Sequence, residues 1–268
     1  MAKLYFSDID GTLLNAEREP SDLLKTQVNR LTEQGAPFIL ISSRMPQAMT
    51  WIQDDLGVSG LPLIAYNGGL VLANGKTLHS EEIPIHIVRA VREFQRGTKL
   101  SVQLFHGEEW YVERMDFYAR REQNNTRVSP VTRKFAATIK DWEKRNVSAH
   151  KIMVMGEKEE LDEFTGIFQR VFGKDLHLYR SKDTYLEIAS KSISKLTGIG
   201  VLLRSVYPAY SLADCVAFGD NYNDVEMLAG VGTGVAVANA RDEAKAVADA
   251  ITDNNKADGV AKWLAENA

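Results

Sequence analysis

The sequence predicts an α/β protein in which a mostly parallel sheet, its strands separated by helices, is interrupted by an inserted α+β domain. Three observations carry that expectation. Apolar runs without alternation, Leu4-Tyr5-Phe6, Phe38-Ile39-Leu40-Ile41 and Leu61-Pro62-Leu63-Ile64-Ala65-Tyr66, each stop on a polar cluster, as strands buried on both faces do. Helix-period segments separate these runs, which makes the strands parallel neighbours. From residue 81 to 187 the texture changes to longer helical stripes mixed with alternating strands, which divides the chain into a core, 1–80 plus 188–268, and an insertion. The 268 residues suit that division, since one domain takes roughly 150.

Leu4-Tyr5-Phe6 is a strand ending at Ser7-Asp8-Ile9-Asp10-Gly11-Thr12. Pro20-Ser21-Asp22 starts a helix, and Leu23, Leu24, Val28 and Leu31 recur at helical spacing until Gly35. The second strand ends on Ser42-Ser43-Arg44, residues 45–56 are helical, and the third strand ends on Asn67-Gly68-Gly69. Asn74-Gly75, between Leu70-Val71-Leu72 and Thr77-Leu78-His79, marks a hairpin that leads out of the core. In the insertion, Ile85, Val88, Val91 and Phe94 form one helix stripe, and Leu161, Phe164, Ile167, Phe168, Val171 and Phe172 form another. Residues 101–105 and 151–155 read there as half-buried, alternating strands. Beyond 188, residues 192–206 are helical and Cys215-Val216-Ala217-Phe218 is a strand ending on Gly219-Asp220-Asn221-Tyr222-Asn223-Asp224. Residues 233–238 and 250–252 are further strands, and 260–266 is a closing helix.

Composition narrows the function classes. Lys and Arg number 32 against 36 Asp and Glu, a net charge of −4, which argues against a nucleic-acid binder needing a basic stripe to displace phosphate counterions. The stretch from Arg114 to Arg145 is rich in Lys and Arg, but acids are interleaved, so it reads as a solvated face. One cysteine, Cys215, forms no intrachain disulfide or CxxC pair and sits in an apolar strand as a small core residue. The N-terminus meets Ser7 and Asp8 too early for a signal peptide, and no run approaches the length of a membrane span. These features suit a cytoplasmic protein that partners neither nucleic acid nor membrane. The five histidines lack metal spacing.

In open parallel sheets ligands bind beyond the carboxyl ends of the strands, where all of these polar clusters fall. Asp8 and Asp10, two residues apart at a strand end, repel each other until a divalent cation binds between them; with Asp220 they make a hard-oxygen Mg²⁺ site. A carboxylate such as Asp8 can act as a nucleophile and form an acyl phosphate that water cleaves. Asp10 is then placed to protonate the leaving oxygen and afterwards to deprotonate water. The phosphoryl charge that remains needs donors, and Ser42, Lys195, Asn223 and the loop N–H groups near Ile9 and Ser43 supply them.

These residues resemble the haloacid dehalogenase superfamily of phosphohydrolases, and within it the Cof-type sugar phosphatases. Asp8-Ile9-Asp10-Gly11-Thr12-Leu13-Leu14 is similar to its first motif, Ser42-Ser43-Arg44 to its second, Lys195 to its third and Gly219-Asp220-Asn221-Tyr222-Asn223-Asp224 to its fourth, in family order. Tyr66-Asn67-Gly68-Gly69, Leu186-Glu187-Ile188 and Asp258-Gly259-Val260 are smaller matches. The resemblance implies a Rossmann-like core with a type IIB α+β cap that closes over the substrate and excludes water. It makes Asp8 the nucleophile and a Mg²⁺ ligand, Asp10 the acid/base and a ligand through its backbone carbonyl, and Asp220 the remaining ligand. Ser42, Lys195, Asn223 and the backbone at Ile9 and Ser43 would hold the phosphate. Thr12 and Asp224 would support them, Asp224 through the metal waters or the lysine. Where the family has Thr-Gly-Arg this chain has Ser42-Ser43-Arg44, so a side chain stands where glycine lets backbone approach the phosphate.

Other readings fit less well. An EF-hand loop starting at Asp8 fails because Gly11 stands at its fourth position instead of its sixth. A dehalogenase needs no acid at Asp10, and an ion-pumping relative needs membrane spans. The expected function is therefore a Mg²⁺-dependent phosphomonoesterase of small phosphorylated metabolites, sugar phosphates first. A sugar phosphomutase and a non-catalytic phosphometabolite sensor are the alternatives. Arg44 stands open between substrate contact and structural ion pair; Asn67, Arg180, Ser181 and Tyr185 are further substrate-contact candidates. Phe105, Trp110 and Tyr111 default to core packing.

Overall fold

The computed structural model describes residues 3–268 apart from the side chain of Ser181, so that candidate contact lies outside the described residues. In chain order the elements are β1 (Leu4–Ser7), α1 (Asp22–Glu33), β2 (Phe38–Ile41), α2 (Gln47–Asp55), β3 (Leu63–Ala65), β4 (Leu70–Ala73) and β5 (Lys76–Ser80). Then follow α3 (Ile85–Gln95), β6 (Ser101–His106), β7 (Glu109–Val112), α4 (Phe117–Thr126), β8 (Val131–Thr132), α5 (Phe135–Arg145), β9 (Lys151–Met155), α6 (Lys158–Phe172), β10 (Leu176–Lys182) and β11 (Tyr185–Ser190). The chain ends with α7 (Lys195–Ser205), β12 (Cys215–Gly219), α8 (Val225–Gly230), β13 (Thr233–Val237), α9 (Asp242–Val247), β14 (Ala250–Thr252) and α10 (Gly259–Asn267).

The chain forms two compact units, Ser80–Ile193 and the segments on either side of it. The sequence expectation ended the insertion at residue 187. The second unit continues past that point because β11 is hydrogen-bonded between β10 and β9, and its pairing with β10 runs through Ser190 to Leu176.

The first unit holds a sheet in the order β14-β13-β12-β1-β2-β3-β4-β5, parallel from β14 through β3 and antiparallel at β3–β4. Asn74 and Gly75 at φ 53° and 68° make the two-residue turn between β4 and β5. On one sheet face Leu4, Phe6, Ile39, Ile41 and Ile64 pack against Ile199 and Leu202 of α7. On the other, α1 lies beside α10, and Trp263 meets Phe218 edge-on at 5.3 Å. Helix α1 follows from its sequence: Ser21 accepts the Leu24 N–H at 3.1 Å, and Leu24, Val28 and Leu31 are its buried stripe. The chain steps from β1 to β2 on one side and returns to β12 on the other, so the crevice at the carboxyl end of β1 is the topological switch point.

The second unit holds a sheet in the order β10-β11-β9-β6-β7-β8, antiparallel except between β7 and β8. Helices α3, α5 and α6 cover one face, where Val88, Trp142 and Phe164 pack on Val102, Leu104, Ile152, Val154, Leu186 and Ile188. Strands β6 and β9 differ from the expected half-buried alternation. Apart from partly exposed His106 they are buried throughout, because polar residues of the opposite face are enclosed as well. The histidines are also less isolated than their spacing implied, since His106 and His150 stack at 5.0 Å beside Glu82. No helix among the described residues is long and apolar enough to cross a membrane.

Candidate active site

Asp8 leaves β1 at the centre of the parallel sheet, and its N–H donates to the Phe218 carbonyl at 3.0 Å, extending the ladder with β12 by one residue. A strand buried on both sides thus delivers one carboxylate to a fixed place. The loop then turns at Gly11, with φ +87°, where an added Cβ would stand 2.5 Å from Asp220 Oδ2. Glycine there lets the two strand-end loops touch, and Thr12 Oγ1 completes the contact by donating to Asp220 Oδ1 at 2.9 Å.

Lys195 is the first residue of α7, behind a Ser194 N-cap whose capping box with Thr197 fixes the helix start. It is 0% exposed, and its Nζ donates to Asp8 Oδ1 and Asp224 Oδ1, each at 2.5 Å. Asp224 is equally buried, and its other oxygen accepts the N–H groups of Asp220 (2.9 Å) and Asn221 (3.0 Å), folding the loop after β12 around the lysine. Gly68, with φ +99°, lets the turn after β3 lie against the Ser194 carbonyl, which an added Cβ would meet at 2.3 Å. Within that turn Asn67, at φ 57°, accepts from Asn223 Nδ2 at 2.9 Å. Asn67, Lys195 and Asn223 therefore belong to one braced wall.

Ser42 is buried at the end of β2, where its N–H donates to the Ile64 carbonyl and its Oγ accepts the Arg44 N–H at 3.2 Å. Ser43 beside it is half-buried. Arg44 forms an ion pair. Its buried guanidinium grips Asp10 bidentately, at 2.6 and 2.8 Å, and donates to the Ala48 carbonyl. Arg18 adds a further bond to Asp10 at 2.5 Å, a partner that sequence reasoning missed because nothing local to Arg18 signals it. Asp10 itself is 41% exposed. Two asparagines beyond the expected site residues pin the loop that carries Asp10: Asn239, after β13, donates to the Gly11 carbonyl and Asn255, after β14, to that of Leu14.

Two further candidates belong to the second unit. Arg180 reaches Asp162 and Thr165 on α6 and the carbonyls of Lys182 and Asp183, so its guanidinium braces a turn. The Tyr185 ring lies between Arg121, at 5.4 Å, and the Lys182 ammonium, at 5.6 Å, and edge-on to Tyr118.

The electrostatics of the first-unit cluster are those of excess negative charge held out of water. Three carboxylates, Asp8, Asp220 and Asp224, share one ammonium, and their oxygens lie within 4.8 Å of one another. Burial pushes the Asp8 carboxyl well above its usual range, with Asp224 and Asp220 adding to the effect against the pull of Lys195. Burial and Asp224 push Asp220 up to about 6. Despite burial, which acts the other way, Asp224 and Asp8 hold Lys195 above its ordinary value, so the ammonium stays charged.

The sequence matches the haloacid dehalogenase-like hydrolase family over residues 5–264. A Haemophilus influenzae chain classed by name as a phosphatase is 32% identical over 269 residues, 99% of this chain and 98% of that one. An HMP-PP phosphatase of Yersinia pestis is 27% identical over 247 residues, 91% of this chain and 87% of its own length. The crystal structure of a haloacid dehalogenase-like hydrolase from Bacteroides thetaiotaomicron superposes with a TM-score of 0.88 at 27% identity and 99% coverage of both chains. With fold, motif order and relatives in agreement, the chain belongs to the haloacid dehalogenase-like hydrolases, in their branch of Cof-type phosphatases.

Proposed function

We propose that this phosphatase is a Mg²⁺-dependent monoesterase of small phosphorylated metabolites, with sugar phosphates as its main class and an aspartyl-phosphate on Asp8 as its intermediate. The observation that carries the reading is the buried Asp8 carboxylate bonded to Lys195 at 2.5 Å at the end of the central strand. Attack by an Asp8 oxygen on phosphorus displaces the alcohol and leaves a mixed anhydride, which water then cleaves to return the carboxylate. Lys195 holds Asp8 in place, and Lys195, Ser42, Asn223 and the loop N–H groups take the charge on the phosphoryl oxygens. Asp10 passes a proton to the leaving oxygen and later takes one from water. Both of its oxygens accept from Arg44, and one also from Arg18, so it must part from one of these partners to carry a proton.

The donor set fits a hard divalent cation: all-oxygen ligands, mutual repulsion, and an Asp220 proton that leaves near pH 6. Asp8, Asp220 and the backbone carbonyl of Asp10 would hold Mg²⁺, whereas both oxygens of Asp224 are committed to Lys195 and the loop N–H groups. When bound, the cation supplies charge neutralisation for the phosphoryl group.

The test is phosphate release from sugar phosphates, nucleotides and related monoesters, in Mg²⁺ or EDTA, by the parent and by Asp8→Asn. Metal-dependent release that vanishes in the variant is expected. A folded parent that releases no phosphate from any ester would overturn the reading, and isomerisation of a sugar phosphate in its place would select the mutase.

A further inference from the structure

Beside the loop that follows β1, within the first unit, lies a cavity of about 390 Å³ bordered by Asp10, Asn15, Arg18, Asn254, Asn255 and Lys256. Of the residues assigned to nucleophile, metal and phosphate, Asp10 alone lines it; Asp8, Ser42, Lys195, Asp220 and Asn223 do not. Among the described residues Asp10 is also the one acid on its wall, against two cations, Arg18 and Lys256. In a chain of net charge −4 this is a local surplus of positive charge. Lys256 has no carboxylate partner among the described residues. The neutral side chains lean the same way. Asn15 Oδ1 accepts the Glu19 N–H at 3.0 Å and Asn254 Oδ1 accepts the Lys256 N–H at 2.9 Å, so each amide spends its acceptor on the backbone and keeps its NH2 as a donor.

The two guanidinium groups on Asp10 are held differently. Arg44 is 4% exposed, donates to both carboxylate oxygens and is tied to the Ala48 carbonyl. Arg18 is 46% exposed, bonds one oxygen, and its side chain has no other partner among the described residues. An ion pair that open to water is worth little and exchanges for another anion. The Arg18 backbone stands at φ 63° in a turn closed by its own N–H on the Asn15 carbonyl. Residues other than glycine and asparagine seldom take this left-handed conformation, and here it belongs to the residue that touches Asp10 and lines the cavity at once.

We propose that this cavity binds a second anionic group, a phosphate or a carboxylate, through Arg18, Lys256 and the Asn15 and Asn254 amides, and that the anion draws Arg18 off Asp10. The inference rests on the phosphatase reading and deepens it, because Asp10 has to part from one of its partners to act. Arg44, buried and tied at three points, is the partner that stays; Arg18 is the one that leaves. An oxyanion in the cavity gives the Arg18 guanidinium a charge-assisted bond in exchange for the one it gives up. Arg18 is then a positioning residue that acts through Asp10. The anion has two sources: a second acidic group of the substrate itself, as in a sugar bisphosphate or a phosphorylated sugar acid, or a separate ion. Bracing of the loop accounts for the bonds of Asn239 and Asn255 to the Gly11 and Leu14 carbonyls and leaves the two cations and their donors without a role.

Arg18→Gln tells a removable restraint from a brace. With a saturating hexose monophosphate its kcat is expected to rise about threefold, while kcat/KM for the matching bisphosphate falls about tenfold. Lys256→Gln should lower the bisphosphate value about threefold. A rise with both esters in Arg18→Gln, with sulfate accelerating the parent on the monophosphate, assigns the anion to a separate ion instead of the substrate. A second arm needs no turnover: inorganic phosphate added to the metal-free parent should move the side-chain amide NMR signals of Asn15 and Asn254. In Lys256→Gln these signals should titrate at least about fivefold more weakly, with the Asn223 signal titrating as before. A monophosphate kcat that does not rise in Arg18→Gln overturns the proposal, as do Asn15 and Asn254 signals that ignore phosphate. If the parent releases no phosphate from any ester and these signals still titrate, the phosphatase reading fails and the anion cavity stands.

Discussion

At the carboxyl end of the parallel sheet Lys195, Asp8 and Asp224 are buried and bonded to one another, whereas on the antiparallel sheet of the second unit Gln103 and Trp110 are as deeply buried and bond to nothing among the described residues. Burial is the same and satisfaction is opposite. A polar group that the fold satisfies belongs to the machinery that the fold must assemble unaided. One that the fold encloses without a partner carries a desolvation cost that nothing offsets. The two cases should therefore respond to mutation with opposite signs, which makes the comparison breakable.

The largest effect is expected at Asp8. Asp8→Asn preserves an oxygen that can accept from Lys195, so the protein should fold. Without the nucleophile, phosphate release should fall at least about 10³-fold, roughly 4 kcal/mol of transition-state stabilisation. Release assays paired with thermal melts check both halves. Next comes Lys195→Met, which leaves Asp8 and Asp224 buried without their cation. Breaking a buried pair from one side costs about 3–5 kcal/mol, on the order of 10 °C in melting temperature for a chain of this size. A melting temperature within about 2 °C of the parent would mean that the cluster is less committed than its geometry, and the contrast with Gln103 would collapse.

How much of this was legible in the sequence follows the same division. The core strands were legible because a strand buried on both faces reads as an unbroken apolar run, and the polar residues that end each run are the ones the switch point gathers: Asp8, Ser42, Asn67 and Asp220. Lys195 needed the resemblance, since a lysine at a helix start reads as a solvated residue until three other motifs stand in order around it. The Arg18–Asp10 contact, the Asn67–Asn223 bond across 156 residues and the His106–His150 stack were not legible. Each depends on which strands become neighbours and in what register, and a one-dimensional pattern specifies faces without specifying partners. Gln103 is the clearest case, because in sequence it is an ordinary polar residue in an alternating strand.

The acidic cluster offers an intermediate effect with a definite sign. Asp220 is pushed up to about 6, above the roughly 3.9 of an unfolded aspartate. Its protonated form is the one the fold favours. In EDTA it therefore contributes stability that is fully present below about pH 4 and is lost as pH rises through about 6, by about 1–3 kcal/mol. Melts of the parent and of Asp220→Asn across pH 4 to 8 should diverge, with the variant relatively more stable at the alkaline end. Added Mg²⁺ should raise the parent and leave the variant where it was. Parallel melting curves in EDTA would show that the cluster carries no such charge penalty.

The smallest effect is the one that best sharpens the comparison. Replacing a satisfied buried group destabilises, but replacing an unsatisfied one with an apolar group of similar shape removes a desolvation cost and leaves no orphaned partner behind. Gln103→Leu should therefore stabilise the ligand-free protein by about 1 kcal/mol, a rise of roughly 2–4 °C. A Gln103→Leu protein that melts lower than its parent without ligand would mean that the fold itself uses the amide, and the two sheets would then handle their buried polar groups alike.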